Sequence, residues 1–318
     1  MAVKTTFSNE EFVQILANYD LGAFQSSESI SKGTVQTNFV VNTTNGKFIF
    51  RYYKNRSKES VIFECSLIKY LKVHNYPCPN VFSNKLGEFV GEYKNKPYAI
   101  FEFVEGSHLE NPNEDQKNEF IEKVAELHNL TRNYNPINKQ YRWNYDIKLC
   151  KELAQKEAAT LNTSDSKEKL KWLESELAKL KLPEPLPKGV CHCDFHFSNV
   201  LFKDNKFAAL IDFDDANYTY LIFDLVGLIE SEAWVRDKDE ELNFTLARKV
   251  VFEYTKYRKL SDVEEKHLFD VYKLSILFDC IWYFSRGRVE DFFEKKKIDF
   301  LNKVGGNNFY LEIFTKDI

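Results

Sequence analysis

The sequence carries no excess of either charge. Forty-four basic residues stand against 48 acidic ones, a formal charge of −4, which gives no general attraction to DNA, RNA or an anionic membrane. It also lacks a long apolar run. The most apolar late tract, Leu274 to Phe284, is broken by Asp279 and followed by Arg286 and Arg288, too short to span a bilayer. Residues 1 to 20 hold Lys4, Glu10, Glu11 and Asp20, so no apolar signal core is expected there. The six cysteines (Cys65, Cys78, Cys150, Cys191, Cys193 and Cys280) are scattered, not clustered as in a small disulfide scaffold. Repeats and low-complexity tracts are absent. These shortages point to a cytoplasmic protein with reduced thiols and with neither nucleic acid nor membrane as a partner.

What is present is an ordinary globular balance, 43% hydrophobic and 29% charged, with 28 Phe and 17 Tyr for bulky core packing. A length of 318 residues suggests two domains at roughly 150 residues each. Ser8-Asn9-Glu10-Glu11 reads as a capping box, starting a helix that runs to about Asn18. Between Ile30 and Tyr53 the pattern becomes two strands around Asn45-Gly46, a hairpin signal. In the second strand Phe48, Phe50 and Tyr52 share one face, and Ile49, Arg51 and Tyr53 the other. Residues 58 to 73 have helical spacing, and Tyr76-Pro77-Cys78-Pro79 ends that helix. Short strands follow near 80–82, 88–93 and 98–103. Beyond Glu105-Gly106 the chain is mostly helical, with helices at 113–130, 142–160 and 165–181. Short strands are read at 190–192, 200–202 and 208–213, then four helical patterns across 221–303. The expected fold class is α+β, a small antiparallel-sheet lobe over 1–104 and a larger helical lobe over 105–318.

The chemistry concentrates in Gly189-Val-Cys-His192-Cys-Asp194-Phe-His196-Phe-Ser-Asn199 and in Ile211-Asp212-Phe-Asp214-Asp215. Cys191, His192, Cys193, Asp194 and His196 are all metal-competent, but no second Cys/His pair offers the partner spacing of a zinc site. Taken singly, His192 reads as a buried core histidine and the acids as solvated. Spacing decides otherwise. Phosphoryl transfer needs a carboxylate to orient the attacking hydroxyl, oxygen ligands for Mg²⁺ and a fixed cation on the ATP phosphates. An H-x-D-x-x-x-x-N loop followed by Asp-Phe supplies the acid and the ligands in protein kinases. His192, Asp194 and Asn199 have that spacing, and Asp212-Phe213 follows thirteen residues after Asn199. Asp194 is therefore the expected base, with His192 bracing the loop and Asn199 and Asp212 as metal ligands.

The first lobe completes the set. Arg51 lies on a strand after a hairpin, where a kinase carries its phosphate-binding cation, and an inward-facing cation needs a partner. Glu64 on the next helix is the expected one; the bland alternative makes both residues surface charges. Gly33, in Ser31-Lys32-Gly33-Thr34, would turn over the phosphates. Phe101 and Phe103 stand at the lobe junction, where backbone groups would meet adenine.

The order of lobes, His192-Cys-Asp194-Phe-His-Phe-Ser-Asn199 and Ile211-Asp212-Phe-Asp-Asp resemble the aminoglycoside phosphotransferase superfamily of small-molecule kinases, whose fold is protein-kinase-like. The resemblance also takes in Ile30–Arg51, Glu64, Pro77–Val81, Ala125-Glu-Leu-His128 and Phe223-Asp224-Leu225, and it implies that Asp224 supports the catalytic loop. Met1-Ala-Val-Lys-Thr, Tyr19-Asp20-Leu21-Gly22, Tyr76-Pro77-Cys78-Pro79 and Leu186-Pro187-Lys188-Gly189-Val190 are similar to bacterial type II homoserine kinases. The chain departs from those at Arg51, where they tend to carry an uncharged residue, and after Asp212-Phe213, where they tend to be apolar.

The expected activity is transfer of the ATP γ-phosphate, with Mg²⁺, to a hydroxyl of a small polar metabolite. L-homoserine leads, and an aminoglycoside or an amino alcohol is the alternative acceptor. A catalytically inactive binding protein on the same fold is a further rival. Asp214, Asp215 and His196 are the candidate acceptor contacts. A substrate carboxylate would need an arginine, for which Arg236, Arg286 and Arg288 are candidates. The expected oligomeric state is monomer or homodimer.

Overall fold

Ser8 opens the first helix as the sequence suggests. Its hydroxyl accepts from the Glu11 amide at 3.2 Å, and the Glu11 carboxylate accepts from the Ser8 amide at 2.8 Å, satisfying two amide donors that the first helical turn leaves over. The structure, a computed structural model, describes residues 5–30, 35–234, 241–290, 292 and 294–316. It divides into two compact units. The first takes Met1–Pro112, Pro136–Arg142 and Phe197–Asp214, and the second Asn113–Asn135, Trp143–His196 and Asp215–Ile318.

The chain begins in the first unit with α1 (Asn9–Leu16), β1 (Phe24–Ser29), β2 (Thr37–Thr43), β3 (Gly46–Tyr52), α2 (Lys58–Val73), β4 (Val81–Phe82), β5 (Gly91–Tyr93) and β6 (Lys96–Glu102). The strands form one antiparallel sheet in the order β1-β2-β3-β6-β4, with β5 also paired to β6. Phe12, Ile15 and Leu16 of α1 join Phe48, Phe50 and Tyr52 of β3 in one buried cluster, so period-two alternation leaves Arg51 and Tyr53 to the opposite face. Two details differ from the sequence reading. β1, with the sequence Phe-Gln-Ser-Ser-Glu-Ser, was not anticipated: as a largely exposed edge strand it carries no apolar alternation. The hairpin turn is Thr44-Asn45, one residue early, because Gly46 already pairs with Thr43. Thr43 Oγ1 accepts from the Asn45 amide at 3.1 Å and Thr44 Oγ1 from the Ala23 amide at 3.0 Å, which hold the turn there.

The second unit receives α3 (Glu114–Thr131), α4 (Ile147–Leu161), α5 (Ser164–Leu177) and β7 (Lys188–Cys191). The chain then returns to the first unit for β8 (Val200–Lys203) and β9 (Lys206–Leu210), a two-stranded hairpin. It ends in the second unit with β10 (Asn217–Tyr220), α6 (Ile222–Ala233), α7 (Phe244–Tyr257), α8 (Asp262–Trp282), α9 (Lys295–Val304) and α10 (Gly306–Phe314). β10 and the last helix were not read from the sequence. Asn-Tyr-Thr-Tyr is too short to alternate visibly, and it becomes a strand by pairing with β7, Asn217 opposite Cys191. The fold class is α+β, as expected. Among the described residues no helix is long and apolar enough to cross a membrane.

Candidate active site

In the first unit the fixed cation and the metal-ligand candidates come together. β3 places Arg51 opposite Asn38 of β2, and its Nε donates to Asn38 Oδ1 at 3.1 Å. One terminal nitrogen donates to Glu64 Oε1 at 3.3 Å and to Asp212 Oδ1 at 2.9 Å. The Arg51–Glu64 pair expected from the sequence is therefore present, and neither residue is a surface charge: their side chains are 12% and 1% exposed. The Tyr53 hydroxyl donates to Glu64 Oε2 at 3.0 Å. Burial pushes the Glu64 carboxyl up to about 7, although Arg51 pulls it down.

Asn199 and Asp212 stand at the open end of the β8–β9 hairpin. Val200 pairs with Leu210, and the Ile211 amide donates to the Asn199 carbonyl at 2.8 Å, so Asn199 lies opposite Ile211, the residue before Asp212. The hairpin is tied down twice more: the Leu210 amide donates to the Pro77 carbonyl at 2.8 Å, and Ser107 and Phe202 exchange two backbone bonds of 2.9 Å. Asp212 has φ +66, a left-handed conformation that aspartate tolerates better than most residues other than glycine. Its side chain remains 41% exposed. Both ligand candidates offer oxygen, the donor that Mg²⁺ prefers.

Phe101 is buried on β6, with the Arg51 guanidinium 5.9 Å from its ring centre. Phe103, just past the strand, lies 5.7 Å from the Lys47 ammonium. Gly33 and the rest of Ser31–Thr34 lie outside the described residues, as does Arg236.

Asp214 departs from the acceptor-contact role. It is 6% exposed, with Oδ1 accepting from Arg56 Nε at 3.0 Å and Oδ2 from Gln36 Nε2 at 3.1 Å. Its carbonyl accepts from Arg56 and Arg142. Burial opposes its charge, yet Arg56 holds its carboxyl below the usual range. The carboxylate is thus satisfied within its own unit by the Arg56 guanidinium and the Gln36 amide, both far along the chain, which local sequence could not reveal.

In the second unit the loop that carries Asp194 hangs from one acid. Asp224 of α6 accepts from the His192 amide through Oδ2 and from the Cys193 amide through Oδ1, each at 2.8 Å. That is the support the resemblance implied. Oδ2 also meets His128 Nε2 at 3.0 Å, and His128 Nδ1 meets the Tyr254 hydroxyl at 2.6 Å. The His192 ring is fully buried, 4.8 Å from that of Phe195. Cys193 takes φ +62, turning the chain so that Asp194 is 38% exposed, with His196 Nε2 at 3.4 Å from its Oδ1. Asp215 is half-buried and His196 exposed. Arg286 and Arg288 are exposed in the turn after α8. His128, Cys191 and Asp224 also cluster as metal-competent groups, but the histidine nitrogens, both Asp224 oxygens and the Cys191 thiol have hydrogen-bond partners. Sequence reasoning missed Asn38, Arg56, Gln36 and Tyr254. Only Asn38 had a signal, as the residue opposite Arg51 once the hairpin register is set.

A model described as the phosphotransferase enzyme family matches residues 27–260. A homoserine kinase of Caulobacter sp. (strain K31) is 31% identical, with 96% of this chain and 91% of that protein covered. Among solved structures, an amicoumacin kinase in complex with AMP-PNP and Ca²⁺ aligns with a TM-score of 0.66 at 15% identity, covering 96% of this chain and 93% of that one. A microcompartment-associated aminopropanol kinase aligns with a TM-score of 0.62 at 16% identity, covering 94% of each chain.

Proposed function

The chain belongs to the phosphotransferase enzyme family, and from that premise we propose an ATP- and Mg²⁺-dependent kinase that phosphorylates the hydroxyl of L-homoserine. The observation that carries the chemistry is the Arg51 fork, held between Asn38, Glu64 and Asp212, with Asn199 at the same hairpin mouth. Arg51 grips phosphate oxygens, oriented by Glu64. Asn199 and Asp212 hold the metal, which when bound neutralises charge on the transferring phosphates. Asp194 accepts the proton of the attacking hydroxyl and orients its oxygen. His192, buried beneath the loop, fixes the backbone from which Asp194 projects. The nucleotide side draws on residues 1–104, with Gly33 over the phosphates and the backbone near Phe101 and Phe103 on adenine. The acceptor side draws on residues 105–318, with Asp215 and His196 near the substrate.

The acceptor argument turns on Asp214. Two negative charges beside Asp212 would favour a polycation and repel a substrate carboxylate. Pairing of Asp214 with Arg56 at 3.0 Å removes one of those charges, which supports an amino-acid acceptor, and a homoserine kinase is similar along 96% of this chain. The test is kcat/KM across amino acids, amino alcohols, sugars and aminoglycosides. L-homoserine should lead by at least tenfold, about 1.4 kcal/mol. An aminoglycoside or amino alcohol ahead by that margin would sink the homoserine assignment, and nucleotide binding with no turnover on any acceptor would favour the inactive binding protein.

A further inference from the structure

Between α3 and α4 the chain re-enters the first unit for Pro136–Arg142, and the last residue of that excursion is a buried arginine, 6% exposed. We infer that Arg142, together with Arg56, is a positioning residue: it ties helix α2 to the segment behind Asp212 and so sets the spacing between Glu64 and the metal-ligand candidate. A short 3₁₀ turn, Lys139–Tyr141, delivers it, the Arg142 amide donating to the Lys139 carbonyl at 3.1 Å. The guanidinium lies 5.0 Å from the Phe63 ring centre. Its Nη1 donates to Ser60 Oγ at 2.9 Å and to the Ser60 carbonyl at 3.2 Å. Its Nη2 donates to the Phe213 carbonyl at 3.4 Å and to the Asp214 carbonyl. A guanidinium is planar with its donors in a fixed fork, so it holds those two stretches of chain at one separation. A buried charge is costly unless its donors are used, which keeps the bridge closed.

Ser60 stands one turn before Glu64 on α2, so the two share a face of the helix. Asp212 stands directly before the two bridged carbonyls. Arg56, next to the Ser57 cap of α2, adds a second tie: its Nε donates to Asp214 Oδ1 and its Nη2 to the Asp214 carbonyl, each at 3.0 Å. A third link is the Arg51 nitrogen shared by Glu64 and Asp212, and that one cannot last through the reaction proposed above. Once Arg51 grips phosphate and Asp212 serves as a ligand, their 2.9 Å bond is given up, while the bonds of Arg142 and Arg56 still join α2 to the segment after Asp212. This role rests on the reading of Asp212 as a metal ligand.

The experiment titrates Mg²⁺ into the full chain with ATP present, follows binding by calorimetry, and measures kcat and KM in parallel. In Arg142→Met the Mg²⁺ concentration at half-saturation should rise roughly tenfold or more, the scale on which groups that orient a metal's ligands act. Its kcat should fall, with the KM of the acceptor within about twofold of wild type. Partial unfolding alone would lower the amount of binding and leave the half-saturation point where it was. Arg142→Lys should fall between the two, because an ammonium keeps the charge and lacks the fork that spans Ser60 and the carbonyls. Should Arg142→Met not fold, Arg56→Lys replaces it, and its half-saturation point should rise as well. A wild-type half-saturation point in folded Arg142→Met, or in Arg56→Lys where it is the replacement, overturns the positioning role. Asp212→Ala separates the two readings. If its Mg²⁺ dependence matches wild type, the ligand assignment falls and the positioning role with it; loss there beside a wild-type response in Arg142→Met removes the positioning role alone.

Discussion

Asp194 and Glu64 are both carboxylates, and their surroundings give them different work. Asp194 projects from a loop whose two preceding amides are fixed by Asp224, so its position does not depend on its charge. Asp194→Asn should therefore keep fold and ATP binding and lose turnover by roughly 10²-fold or more, the scale of general-base loss; stopped assays on the folded variant, with calorimetry for ATP, check both halves. Glu64 is 1% exposed, and its carboxyl stands at about 7 against an ordinary 4.5. A raised carboxyl pKa means that the folded protein binds more protons than the unfolded chain between those values. Stability should thus fall as pH rises from about 4.5 to 7 and level off above. Melting temperatures of wild type and Glu64→Gln at about pH 5 and pH 8 test this: the fall in wild type should be larger than in the variant. Equal slopes would show that another group sets the pH dependence.

At the scale of elements, β7 and the β8–β9 hairpin are short and owe their positions to tertiary bonds. β7 runs close to Leu221, the residue before α6, and this is where its glycine is needed. A Cβ at Gly189 would lie 2.5 Å from Leu221 Cδ2 and 3.2 Å from its Cγ, and Leu221 is buried. Gly189→Ala should cost about 1–3 kcal/mol, the range for overpacking a filled site. Because His192 follows this strand directly, the variant should also lose turnover at temperatures where it remains folded. Chemical denaturation gives the first quantity, and an unchanged midpoint would mean that Leu221 swings aside freely.

For the whole molecule, ligand binding offers a test that needs no acceptor. A ligand that binds the folded chain alone stabilises it by mass action, about 2.7 kcal/mol at a hundredfold excess over Kd. ATP with Mg²⁺ should raise the melting temperature, EDTA should cancel most of the rise, and Asp212→Ala should abolish the metal-dependent part while melting normally without ligand. A rise in Asp212→Ala equal to that of wild type would place the metal elsewhere. Charge balance points the same way: at −4 overall, affinity for a polyanion such as ATP must come from local groups such as Arg51, not from the field of the whole protein.

Sequence alone determined what depends on near neighbours. The Ser8–Glu11 cap, the helix over 58–73 and the alternation that sends Arg51 to the face opposite Phe50 are consequences of local geometry, legible because the interacting residues are a few positions apart. The spacing from His192 to Asn199 is legible for the same reason, since one loop carries the proposed base and a proposed ligand. Tertiary structure decided what depends on partners far along the chain. The Arg51–Glu64 pair could be guessed, but its sharing with Asp212 joins residues 161 apart. Asp214 reads as a free acid beside its neighbours, and becomes a buried, paired one through Arg56 and Gln36, 158 and 178 positions away. β1 and β10 lack apolar alternation and are strands only because β2 and β7 supply their hydrogen bonds. A pattern in sequence records which face a residue turns to the core; the identity of the group it meets there is set by how the chain folds back, and that depends on the tertiary fold.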